Sequence, residues 1–169
     1  MRPDAMNTGG AHGEGMAPAQ MELAPVFEIR VQVGEAYELG EIDGERRRMI
    51  PILGGEVDGP AGNGVVLPGG ADWQTLGPEG LTRLHARYAI RMSTGGIIEV
   101  NNRGVRRASA DAAARIASGP EVHPSLQYFV TTPVFEAPQG PHRWLREHVF
   151  VARGLRFPDR VHIEVFRVC

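Results

Sequence analysis

The chain contains no lysine; its 18 basic residues are all arginine. Without a side-chain amine there is no Schiff-base chemistry and no lysine-bearing phosphate loop. A single cysteine, Cys169, stands at the last position. One thiol closes no internal disulfide, and a nucleophile needs a fixed base beside it. Neither oxidative stapling nor thiol catalysis is expected. No run of about 18 apolar residues occurs, so no membrane span is expected. The first twenty residues are rich in Gly, Ala and Pro and lack an apolar signal core, which points to a reducing, cytoplasmic setting. Charge of one sign is also missing, with 18 basic residues against 20 acidic. That balance points away from nucleic acid and anionic membrane as partners. There is no Gly-x-Ser-x-Gly elbow. The six histidines form neither a His-Glu-x-x-His pattern nor a Cys-His cluster. No metal site and no cofactor are therefore expected.

What is present suits one domain. At 169 residues a chain can bury roughly 70% of its unfolded surface, enough for a core without staples. Residues 1–20, with Gly9, Gly10, Gly13 and Gly15, read as a flexible tail that cannot bury much. The barrel domain proper is assigned to residues 21–169.

From there the hydrophobic period is two. In Val26 to Val33, the residues Phe27, Ile29, Val31 and Val33 share one side, the mark of a half-buried strand. Arg48 to Val57 is interrupted by Pro51 and by Gly54 and Gly55, which predicts a bulge or bend. Further strands are expected over Val65–Leu67, Asp72–Leu76, Leu81–Ser93, Ile97–Val105, Tyr128–Phe135, His148–Leu155 and Val161–Val168. Thr94, Gly95 and Gly96 make the turn of a hairpin. Ser109 to Ala117 is the one helix candidate, with Ser109 as its cap and Gly119 as its stop. About nine antiparallel strands with one short helix give an all-β chain. A sheet that large should close or fold into two layers, and closure removes exposed edges. The expected fold is a closed barrel of about 8–10 strands.

Several stretches occur in a telling order. They are Gly44-Glu45-Arg46-Arg47, Leu67-Pro68-Gly69-Gly70-Ala71-Asp72-Trp73-Gln74, Ala86-Arg87-Tyr88 and Asn102-Arg103-Gly104-Val105-Arg106. Tyr128-Phe129, Pro133-Val134-Phe135-Glu136 and Trp144-Leu145 follow. Together they resemble the domain-of-unknown-function family 3237, also called uncharacterised protein family 0311, from about Met21 to Val168. The resemblance implies a barrel of the lipocalin or allene-oxide-cyclase-like kind and implies no activity. One departure is Arg146, where the family often carries asparagine.

The chemistry-bearing candidates are polar residues on apolar strands. Asp72, beside Trp73, is a candidate general acid or base, with a salt bridge to Arg87 as the structural alternative. Arg87 is a candidate clamp for a carboxylate or an enolate. Glu99, Asn101 and Arg103 share one face. In a lumen they would supply an acid, a hydrogen-bond donor and an oxyanion stabiliser; on the outside they would only solubilise. Tyr128, Thr132 and Glu136 carry the same ambiguity. Trp144 is a lid or a plug, and ordinary packing would account for Trp73, Tyr88, Tyr128 and Trp144 alike. The run Arg46, Arg47, Arg48 is either a solvated strand or an anion clamp.

Three functions fit these residues. One is a cofactor-independent isomerase, cyclase or lyase, acting on a small carbonyl-bearing or aromatic molecule in the lumen. Asp72 or Glu99 would abstract the proton, and Arg87 or Arg103 would hold the oxyanion. The second is a carrier of a small hydrophobic ligand. The third is a structural protein, a homodimer through an outer face with a filled interior.

Overall fold

The computed structural model describes residues 20–118 and 123–169. The expected tail, except Gln20, and the expected helix stop Gly119 lie outside the described residues. Ten strands form in order: β1 (Leu23–Val33), β2 (Tyr37–Ile42), β3 (Glu45–Asp58), β4 (Gly64–Val66), β5 (Gly70–Leu76), β6 (Leu81–Met92), β7 (Ile97–Arg107), β8 (Tyr128–Glu136), β9 (Phe150–Arg156) and β10 (Arg160–Val168). The helix α1 (Ala110–Ser118) joins β7 to β8. Ser109 caps it as expected, its Oγ accepting the Ala112 N–H at 3.1 Å.

The sheet closes on itself. Its path runs from β1 through β10, β9, β8, β7 and β6, then by way of β4 and β5 to β3, which pairs with β1. Strands β4 and β5 share one position, each bridging a different part of β3 to β6. The result is a closed eight-strand antiparallel barrel. Strand β2 lies along the part of β3 that β1 leaves unpaired. It was not foreseen, because Tyr37–Ile42 is exposed throughout and has no apolar face to reveal it.

Gly54 and Gly55 let β3 bend as anticipated. A Cβ on Gly55 would stand 2.1 Å from the Arg30 carbonyl oxygen, at a φ of +147°. Pairing with β1 slips between Gln32 and Val33. The extra residue changes the phase of β3, so that Ile50, Ile52 and Val57 are all buried.

The interior divides in two. One half is filled. Phe135 packs edge-on to Phe27 and Phe150, with ring centroids 6.0 and 5.0 Å apart. Each such pair adds about 0.5–1.5 kcal/mol beyond its buried area. Ile90, Met92, Ile98 and Val100 belong to the same core. A short turn of 3-10 helix, Arg143–Glu147, closes this half with buried Leu145. Trp144 packs against the core from the same turn, as a plug. The other half keeps space and charge, and α1 lies beside it with Ala112 and Ile116 buried.

Candidate functional site

Alternation along each strand decides what points inward. On β7 the buried Ile98 and Val100 are in phase with Asn102 and Arg106. On β3, Arg48 is in phase with Ile50 and Ile52; on β9, Arg156 is in phase with Phe150 and Ala152. Strand β5 contributes Asp72 and Gln74. Asp72 sits opposite Ile50 and Ala86, and Gln74 opposite Arg48 and Leu84.

These side chains meet at a narrow cavity of about 40 Å3. Its walls are mostly apolar, including Val31, Val33, Ile50, Ile52, Leu84, Phe129 and Ile163. Its polar lining is Asp72, Gln74, Tyr88, Asn102, Arg106 and Arg156. A second, outer cleft begins where the first ends, lined by Arg48, Thr82, Arg106, Ile116, Arg156 and Phe157. Arg106 and Arg156 belong to both.

A short relay fixes the carboxylate. Arg48 Nε donates to Gln74 Oε1 at 2.8 Å, and Gln74 Nε2 donates to Asp72 Oδ2 at 2.5 Å. The other oxygen, Asp72 Oδ1, is shut off from solvent and has no side-chain partner among the described residues. The same holds for the Tyr88 hydroxyl and for Asn102 Oδ1. A buried polar atom without a partner costs roughly 1–3 kcal/mol. Three of them around one cavity is the pattern of a site that awaits a ligand.

The electrostatics follow from burial. Loss of solvent raises the Asp72 carboxyl above its usual range; the Gln74 amide, Arg106, the His85 backbone N–H and Arg48 pull the other way. Burial, reinforced by the Asp72 charge, pushes the Tyr88 hydroxyl up, so it stays protonated and can donate. Burial, then Arg48 and Arg156, lower the Arg106 guanidinium to about 10, against the attraction of Asp72. Arg48 and Arg156 are lowered as well, first by burial. Among the described residues no group of three or more His, Cys, Asp or Glu is placed to hold a metal ion.

Of the residues singled out from the sequence, Asp72 lies in this cavity. Glu99 and Arg87 do not. They sit on the outer wall, paired with each other through Arg87 Nε and Glu99 Oε1 at 2.9 Å. The expected Asp72–Arg87 bridge is thus replaced by Asp72–Gln74 and Arg87–Glu99. Asn101 and Arg103 share the outer face with Glu99, because Ile98, Val100 and Asn102 take the inner one. Asn101 Oδ1 lies 2.8 Å from His85 Nε2 on that face. Trp73 is 53% exposed and Tyr128 58%. Thr132 is also exposed, and Glu136 pairs with Arg146 at 3.1 Å. Trp73, Arg87, Glu99 and Glu136 border an open outer groove under the Leu67–Ala71 loop. Trp144 is part of the plug at the far end.

Gln74, Tyr88, Asn102, Arg106 and Arg156 were missed as lumen residues, and Arg48 was placed only in the Arg46–Arg48 cluster. The signal for Asn102, Arg106, Arg48 and Arg156 was phase, since each stands at even spacing from apolar residues of its own strand.

Known proteins share this architecture. UPF0311 protein blr7842 of Bradyrhizobium diazoefficiens is 44% identical over 143 residues, covering 85% of this chain and 93% of its own. The crystal structure of RPA1785 from Rhodopseudomonas palustris, a conserved protein of unknown function, superposes with a TM-score of 0.83 at 38% identity. It covers 90% of this chain and 100% of its own. A β-barrel-like protein from Acinetobacter baumannii AYE follows at TM-score 0.78 and 31% identity, covering 91% and 99%. The family described as "Protein of unknown function (DUF3237)" matches residues 21–168, and the chain with its barrel belongs to it.

Proposed function

We propose that the lumen takes up a small carbonyl-bearing or aromatic molecule and that Asp72 moves a proton on it without a cofactor. Isomerisation, cyclisation and lyase steps share that requirement. The observation that carries the reading is the unpartnered trio of Asp72 Oδ1, Tyr88 hydroxyl and Asn102 Oδ1 around one apolar cavity. A carboxyl group raised by burial is better matched to proton transfer near neutral pH than an ordinary one. As carboxylate, Asp72 takes a proton from the carbon beside the carbonyl. The electron pair of that C–H bond moves onto the carbonyl oxygen, which accepts a hydrogen bond from the Tyr88 hydroxyl. Return of the proton to a different atom completes an isomerisation.

The test is deuterium exchange in D2O, read by proton NMR, with acetylacetone and phenylpyruvate as probes. Exchange faster than the buffer rate is expected. Asp72→Asn should reduce the protein-dependent rate by about 100-fold or more. Equal rates with and without protein, or an unchanged rate in Asp72→Asn, would overturn the reading.

A second reading, carriage without turnover, is favoured by the mostly apolar walls. It is distinguished by probes that bind wild type and Asp72→Asn equally and exchange in neither. A filled structural interior is not favoured, because space remains at the Asp72 end and Trp73 lies outside.

A further inference from the structure

We infer that the guest of the lumen carries a permanent anionic group, a carboxylate or a phosphate, which Arg48, Arg106 and Arg156 hold at the mouth. The inference rests on the lumen being the ligand site proposed above, and adds the class of ligand it takes.

The argument begins with where arginines find partners. On the outer wall Arg30, Arg83, Arg87 and Arg153 each meet a carboxylate. There an ion pair is worth little, because water already solvates both charges. At the lumen the order is reversed. Arg48, Arg106 and Arg156 are partly or largely removed from solvent, yet none has a carboxylate within 4.0 Å among the described residues. The single carboxylate lining the cavity, Asp72, is turned to Gln74 instead. Unpaired charge has been left where it is most costly.

Two of the three guanidiniums are also held in place. Arg48 is held at Nε by Gln74, and its Nη groups make no side-chain hydrogen bond among the described residues. Arg156 donates from Nη1 and Nη2 to the carbonyls of Arg160 and Pro158, at 3.3 Å each. Arg106 and Arg156 border both the inner cavity and the outer cleft, and Arg48 borders the cleft. Arg106 and Arg156 therefore flank the passage between the two, and Arg48 stands beside them in the cleft. Guanidinium groups bind planar oxyanions through paired N–H donors, which suits a carboxylate or a phosphate.

Register sets the reach of the ligand. Arg48 faces Gln74, two residues along β5 from Asp72. Two residues span roughly 7 Å of strand. The anionic group and the atom facing Asp72 are thus separated by a few bonds, with an apolar body against Leu84, Ile52 and Val31. An arylalkyl acid has this form.

Isothermal titration of the full chain with 3-phenylpropionate, phenyl phosphate and the neutral 3-phenylpropanamide tests this. At least one anion should bind, and the amide roughly 10- to 100-fold more weakly. The tighter of the two anions names the head group. Arg106→Gln and Arg48→Gln should weaken the anion by a similar factor and leave the amide unchanged. Equal affinity for amide and anions, no binding of either anion, or anion binding unaltered in both variants would overturn the inference. The wild-type comparison of anion with amide does not depend on a variant folding. If the carbonyl probes exchange while neither anion binds, the anion site falls and proton transfer stands. If the anions bind and no probe exchanges, the reverse holds.

Discussion

Replacing Arg106 by methionine should make the ligand-free protein more stable. Methionine keeps the apolar stem of the arginine and removes its charge. Burial and the neighbouring Arg48 and Arg156 lower the Arg106 guanidinium from its ordinary value to about 10. A tenfold loss of proton affinity corresponds to about 1.4 kcal/mol, so the site costs at most about 3.5 kcal/mol. Solvent that reaches the mouth reduces this to roughly 1–3 kcal/mol. The folded protein binds this proton less tightly than the unfolded chain. The cost is therefore complete at all pH values below about 10 and fades only above that, toward the ordinary arginine value. At pH 7 the whole difference is available to the variant. For a domain of this size 1 kcal/mol moves the melting temperature by about 2–4 °C, giving an expected rise of roughly 2–12 °C. Thermal and urea unfolding at low salt measure it. An anion bound at the mouth should stabilise wild type by about 2.7 kcal/mol at a hundredfold excess over Kd and narrow the gap to the variant. A loss of more than about 1 kcal/mol in Arg106→Met would show that Arg106 supports the scaffold, and would refute the account of an uncompensated cationic mouth.

Other outcomes follow from the same geometry. The raised Asp72 carboxyl binds its proton more tightly in the folded state; its stabilising contribution is present below about 3.8 and is lost as pH rises through the higher folded value. Asp72→Asn should therefore gain stability relative to wild type between pH 4 and pH 8, measured by urea unfolding at several pH values. A pH-independent difference would count against a buried, raised acid. Glu99→Gln breaks only the exposed pair with Arg87, so it should change stability by less than about 1 kcal/mol and leave probe exchange unchanged. Loss of exchange in Glu99→Gln would move the chemistry to the outer wall.

The barrel was legible because strand alternation is a local property. The runs through Phe27, Leu84 and Ile98 mark half-buried strands whatever surrounds them. The site was less legible because alternation gives two faces without saying which is inner. Glu99, Asn101 and Arg103 were weighed as one wall of a lumen, yet Ile98 and Val100 on the opposite phase bring Asn102 and Arg106 inside. Once closure is assumed, the more apolar face of each strand is the inner one, and any charge in phase with it stands out. Arg48, Arg106 and Arg156 could have been found that way. The partner of Asp72 was within reach too: Gln74 stands two residues on along β5 and so shares its face, whereas the place of Arg87 depends on register between β5 and β6. Strand β2 escaped notice because it contributes nothing to the core.

The packed core around Phe27, Phe135 and Phe150 fills the other half of the barrel, so the arginine side is the open end of the chamber. A guest that enters past the arginines must leave by the same door, head group first. Departing and arriving molecules then compete for one threshold, so a converted guest that keeps its anionic group obstructs the next until it lets go of the guanidiniums.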